Sequence, residues 1–246
     1  METFVKFFIS LLLLFTLHTP VGLYASTEEE QIEHLDINEV LSNDSYTMGE
    51  NPAITVLDNG LVVSVQADEN HLTYSLGEYN EDSHSMYWTK SFQYGEMITG
   101  GNPSSISIDT LPNGDVIQVY EFVDIIFYSL GRYEEGKINW YSMNNYFGMG
   151  EHPSLTVMEN GHLVLVNEGL NTNALWYGYG TFENDEAWHR NMVHFDKGLE
   201  PSVSALDDGK IVVTHKEEVN GNLWSTIGTI DPDKKMVEFE SAVRYE

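Results

Sequence analysis

The residues with chemistry to offer are aromatic, and they recur. Trp88, Trp140 and Trp188 stand at one repeated place along the chain, with Phe239 at the fourth. Tyr74, Tyr128 and Tyr177 stand at another, and Trp176 and Trp224 follow a leucine at the matching place in the last two copies. An indole or phenol can stack on the apolar face of a sugar ring while its N–H or O–H makes one hydrogen bond, and nearby Asn, Asp and Glu would hold the hydroxyls. The same side chains also pack sheet against sheet, because aromatics bury much area. Both uses are open at this point. On the first, Trp140, Trp176, Tyr177, Trp188 and Trp224 are the stacking or site-lining groups. Equivalent weak sites on one chain raise avidity roughly 10²–10⁴-fold over a single site.

Other chemistry is harder to find. There is no G-x-S-x-G, no P-loop and no cysteine nucleophile. Carboxylates are too many for an acid–base pair to be singled out. Arg132, Arg190 and Arg244 fall at non-equivalent places, so they do not read as a cluster for an acidic substrate. His189 and His194 share a strand at odd spacing and so face opposite sides. His71, His152 and His215 come from different parts of different repeats and read as polar surface groups. No EF-hand loop, HExxH or paired-His spacing occurs. No catalytic residue, metal ligand or cofactor is predicted.

The elements that must position the aromatics come from a repeat. Pro52, Pro103, Pro153 and Pro201 are spaced 51, 50 and 48 residues apart, and a fixed period of that size marks a repeat architecture. The copies span about 49–99, 100–149, 150–197 and 198–246. After each proline runs an alternating segment, such as Leu155-Thr156-Val157-Met158 or Ser105-Ile106-Ser107-Ile108. Turns follow at Asp58-Asn59-Gly60, Pro112-Asn113-Gly114, Glu159-Asn160-Gly161 and Asp207-Asp208-Gly209, where Asn-Gly and Asp-Gly suit a hairpin. Aligned on its proline, the second copy carries three extra residues before its glycine, which reads as an insertion at the turn. A β-branched second strand, a third strand ending at Gly77, Gly131, Gly180 or Gly228, and a fourth strand with a central aromatic complete each unit. A second aromatic lies six or seven residues on, at Tyr94, Tyr146, Phe195 and Tyr245. No segment has a helical period.

Four-stranded units of this length predict an all-β protein, a β-propeller of about four four-stranded blades. The alternative is a β-sandwich or β-prism. Asn38 to Tyr46 matches the fourth strand, so one surplus N-terminal strand precedes the first blade.

Lys6, the apolar run Phe7–Leu17 and the small residue Ala25 have the layout of a secretory signal peptide over 1–25. A run of that length is well short of the roughly 20 residues needed to span a bilayer. Residues 26–36 read as a polar leader, and 37–246 as the repeat domain. With no cysteine, a secreted chain must be held by packing alone or by bound ions. The net charge of −28 argues against nucleic acid and anionic lipid as partners. The surplus strand leaves open whether one chain closes the ring, and an oligomer is one reading of it.

The order Gly-x-x-Pro-Ser, Asp-Gly, Leu-Trp-Tyr, Ile-x-Trp-x-Ser resembles tandem-repeat bacterial β-propeller lectins. It stands here as Gly198-Leu199-Glu200-Pro201-Ser202, Asp208-Gly209, Leu175-Trp176-Tyr177 and Ile138-Asn139-Trp140-Tyr141-Ser142. The resemblance covers nearly all of the chain from Ile37 and implies carbohydrate binding at blade edges or between blades. The first two repeats depart from it with Thr73 and Phe127 in place of tryptophan, and the last with Ser225 in place of tyrosine. The expectation is a secreted, non-catalytic, carbohydrate-binding protein with glycans as partners. The alternatives are a glycosidase-class hydrolase and a protein-interaction scaffold.

Overall fold

The computed structural model describes residues 49–68, 71–88, 91–96, 103–182 and 188–245. All lie in one compact unit, Ser45–Glu246. The signal segment, the polar leader and the surplus strand fall outside the described residues.

Among the described residues every regular element is a β-strand. The first sheet holds β1 (Glu50–Val56), β2 (Val62–Asp68) and β3 (His71–Asn80), with its outer edge divided between β4 (Ser85–Trp88) and β5 (Phe92–Glu96). The second holds β6 (Ser104–Thr110), β7 (Val116–Phe122), β8 (Ile125–Glu134) and β9 (Lys137–Met149). The third holds β10 (Glu151–Val157), β11 (His162–Glu168), β12 (Ala174–Thr181) and β13 (Arg190–Lys197). The fourth holds β14 (Leu199–Ala205), β15 (Lys210–Lys216) and β16 (Leu223–Asp231), with β17 (Met236–Phe239) and β18 (Val243–Arg244) sharing its outer edge. Each sheet is an antiparallel meander. The four are successive blades of a β-propeller, not the two faces of a sandwich.

The inner hairpins are alike in all four blades. Gly60, Gly114, Gly161 and Gly209 take positive φ between 72° and 85°. The closing bonds repeat as Leu57 N to Leu61 O, Leu111 N to Asp115 O, Met158 N to His162 O and Leu206 N to Lys210 O. The second blade therefore has no insertion at its turn. Its register corrects the proline alignment: Ile108 pairs as Leu155 does, so Pro103 occupies the place of Gly150 and Ser105 that of His152. The proline was a misleading anchor because the residue after the bulge, proline in the other three blades, is Ile106 here.

Successive blades pack along their inner strands: β1 beside β6, β6 beside β10, and β10 beside β14. β14 makes no comparable contact with β1 among the described residues. Three devices recur at these junctions. Inner-strand N–H groups donate to side-chain oxygens of the preceding blade: Leu155 to Ser107 and Val157 to Asp109, then Val203 to Ser154 and Ala205 to Thr156, at 2.8–3.1 Å. A tyrosine on the third strand clasps the next blade's fourth strand. Tyr74 Oη donates to Ile138 O and accepts from Ile138 N, and Tyr177 does the same with Val237. Finally, the fourth-strand aromatic meets a ring of the preceding blade: Trp140 on Tyr94 at 4.2 Å, Trp188 on Phe147 at 4.8 Å, Phe239 on Phe195 at 4.2 Å. In the second blade the partner ring is thus Phe147; Tyr146, which the repeat spacing selects, is exposed.

The core lies in the junctions. Leu57, Val63, Val65, Tyr74 and Leu76 meet Ile108, Val116 and Ile138; Ile117, Val119, Ile126 and Phe147 meet Leu155, Leu163 and Leu165; Val164, Val166 and Tyr177 meet Ile211, Val213 and Val237. Burying a side chain of this size contributes roughly 1.5–3 kcal/mol relative to leaving it in water. That packing holds the blades together in a chain without disulfides.

Candidate functional site

Each inner strand begins with a register shift of its pairing, at Glu50/Ala53, Ser104/Ile106, Glu151/Ser154 and Leu199/Ser202. The residue lifted out by each bulge has positive φ: Asn51 at 53°, Ser105 at 52°, His152 at 51° and Glu200 at 50°. None is glycine. A non-glycine residue held there costs on the order of 1–3 kcal/mol, and such outliers gather at ligand sites. A bulge re-aims a side chain, and here four different polar groups stand at equivalent places around one end of the inner strands.

The bulges are held from the neighbouring blade. Glu121, at the end of the second strand of blade two, accepts the His152 N–H at 3.1 Å. Glu168, its equivalent in blade three, accepts the Glu200 N–H at 3.2 Å and the His152 Nδ1 at 3.2 Å. Asn51 Nδ2 donates to Pro103 O at 3.2 Å. In blade four the equivalent residue is Lys216, which pairs with Glu200 at 3.5 Å. The donor atoms of Glu151, His152 and Glu168 lie within 4.8 Å of one another. Glu168 is buried, and His152 is exposed above it. Burial, then the charges of Glu168, Glu121 and Asp124, push the Glu151 carboxyl above the ordinary carboxylate range, with His152 opposing. The group can accept several hydroxyl donors.

Beside each bulge a polar side chain is buried: Gln66, Tyr120, Asn167 and His215. Three lie against a blade-entry glycine. A Cβ on Gly150 would sit 2.3 Å from Asn167 Nδ2, and one on Gly198 2.2 Å from His215 Nδ1. Cross-strand pairs extend these positions into rows on one sheet face. They read Gln66–Thr73–Gln93, Tyr120–Phe127–Tyr146, Asn167–Trp176–His194 and His215–Trp224–Arg244. The Trp176 ring meets His194 at 5.5 Å.

The five aromatics marked from sequence are thus placed differently. Trp176 and Trp224 lie half-buried in the rows beside the bulges. Trp140 and Trp188 are half-buried in the junctions, with Tyr94 and Phe147 against their rings and buried Nε1 atoms that find no hydrogen-bond partner. Tyr177 is 2% exposed and engaged with Val237. The bulge residues were missed by sequence reasoning. Their signal was the residue before proline in Gly-x-x-Pro, namely Asn51, His152 and Glu200.

No protein-family model matches this chain, and no curated protein does. Solved structures do. A protein from Lactobacillus plantarum superposes with a TM-score of 0.57 at 8% identity, over 80% of this chain and 57% of that one. The exo-beta-1,3-galactanase of Phanerochaete chrysosporium, crystallised with beta-1,3-galactotriose, gives 0.55 at 6% identity, over 80% and 50%. A putative 6-phosphogluconolactonase from Bacteroides uniformis gives 0.54 at 10%, over 78% and 54%. The chain spans about half the length of these structures. Likeness at such identities establishes the fold, an all-β propeller.

Proposed function

We propose that this is a secreted carbohydrate-binding propeller that holds its ligand without transforming it. The observation that carries the reading is the conjunction at one end of the blades. Two indoles, Trp176 and Trp224, lie in rows with hydrogen-bonding side chains, next to an arc of Asn51, Ser105, His152 and Glu200 backed by Glu121 and Glu168. A sugar offers one apolar face and several hydroxyls, and this surface offers a ring and several acceptors. The exo-beta-1,3-galactanase, a protein of the same fold, acts on a glycan as its name says; that agrees with the reading.

The test is a glycan array followed by titration calorimetry on the best sugar. Trp176→Ala and Trp224→Ala should each lower affinity about tenfold or more, by analogy with truncation of a buried interface aromatic. Glu168→Gln should lower it as well. Binding that survives both tryptophan changes defeats the proposal. A second reading has one observation in its favour: a carboxyl pushed up in pKa, Glu151, beside a second carboxylate, Glu168, is how acid catalysis is set up. Release of product from glycosides, lost in Glu151→Gln, would replace binding by hydrolysis.

A further inference from the structure

Three positions are apolar in every blade, and they are packed away in the first three blades but not in the fourth. The hairpin residue is Leu57, Leu111 or Met158, at 5% exposure or less; its counterpart in blade four, Leu206, is 40% exposed. At the start of the third strand Leu72, Ile126 and Leu175 are buried, whereas Leu223 is 56% exposed. The ring-stacking position is Tyr94, Phe147 or Phe195, and Tyr245 there is 51% exposed. The inner strand of blade four also keeps the acceptor half of the junction. Ser202 and Ser204 stand where Ser154 and Thr156 accept the N–H groups of Val203 and Ala205. At the other end of the series Pro52 is exposed, while its equivalents Pro153 and Pro201 are buried. Ile54 and Val56 carry the N–H groups equivalent to those of Val203 and Ala205.

We propose that the face of blade four left uncovered among the described residues is an interface for a second copy of this chain, entered head to tail by the β1 edge of that copy. The Ser202 and Ser204 hydroxyls then accept from the copy's Ile54 and Val56 N–H groups, continuing the series already built twice inside the chain. Lys216 stands where Glu121 and Glu168 reach into the following blade, so the counterpart there is the exposed Glu50 beside Asn51. Ser225 replaces the clasping tyrosine, so this junction is weaker than the internal ones and reversible. Head-to-tail contacts are heterologous and give a ring if the rotation closes, a fibre if it does not. The contact places the copy's Asn51 next to Glu200 and extends the polar arc. The inference stands independently of the sugar reading.

The chain has no cysteine, so single introduced thiols report cleanly. Ser204→Cys and Val56→Cys variants are prepared separately and treated with a short bismaleimide. The mixture should cross-link and neither variant alone should. Sedimentation should show mass rising with concentration, Leu223→Asp should abolish the rise with an unchanged circular dichroism spectrum, and Ser225→Tyr should shift it to lower concentration. A monomer at every concentration overturns the proposal, as does cross-linking of Ser204→Cys with itself. Should Leu223→Asp misfold, the mixing experiment and Ser225→Tyr still decide.

Discussion

The tyrosine clasp predicts a specific loss of stability. In Tyr74→Phe the ring keeps its stack on Phe92, 5.0 Å between centroids, so packing is nearly conserved. What goes is one oxygen that accepts from Ile138 N at 2.9 Å and donates to Ile138 O at 3.2 Å. Ile138 is 4% exposed, so its N–H is left without water. An unsatisfied buried group costs about 1–3 kcal/mol. Recovery of the phenol's own desolvation offsets part of this, and the expected loss is about 2 kcal/mol. Tyr177→Phe breaks two longer bonds, both 3.3 Å, and should lose about 1 kcal/mol. The two changes lie in different junctions and should add. Ser225 holds the same position in blade four, which no blade of the chain follows among the described residues, so Ser225→Ala should stay within about 0.5 kcal/mol. Urea unfolding followed by tryptophan fluorescence and circular dichroism measures all four variants. If Tyr74→Phe is no worse than Ser225→Ala, the clasp contributes nothing and the account of the junctions fails.

Two further outcomes follow from the same geometry. Gly131→Ala puts a methyl 2.6 Å from Ile138 Cγ2 and 3.0 Å from the Trp140 ring; overpacking of this kind costs about 1–3 kcal/mol, and unchanged urea stability would show that the indole can move. Glu151 has a folded-state pKa above its unfolded value, so the native state binds the extra proton and stability rises as pH falls through that window toward the unfolded value. Glu151→Gln should therefore melt higher than the parent at pH 7, with the gap closing toward the ordinary carboxylate pKa; a lower melting temperature at pH 7 contradicts the electrostatics.

The blade pattern was legible because its signals are local. Hairpin glycines, β-branched second strands and alternation over four to seven residues report on single strands and their turns. The junctions were not, because they join residues about 50 positions apart. Nothing around Tyr74 announces that its hydroxyl belongs to Ile138, and Trp140 reads alike whether it faces Tyr94 or solvent. The bulges were hidden for another reason. Positive φ at Asn51, His152 and Glu200 is imposed by pairing on both sides of the shift. Ser105, with no proline after it, shows that proline is not its cause.

The departures from the repeat now separate into two kinds. Ser225 departs at a junction position, and among the described residues no blade of the same chain follows its own; the change leaves the sugar reading untouched. Thr73 and Phe127 depart in the rows beside the bulges, where the indole of Trp176 and Trp224 would otherwise stand. Their row partners change with them: Gln66 and Gln93 flank Thr73, Tyr120 and Tyr146 flank Phe127, while Asn167 with His194 and His215 with Arg244 flank the tryptophans. On the binding reading, an indole flanked by hydrogen-bonding groups occurs twice, in adjacent blades, so the valency of one chain is two. Any higher avidity must come from the arrangement of copies.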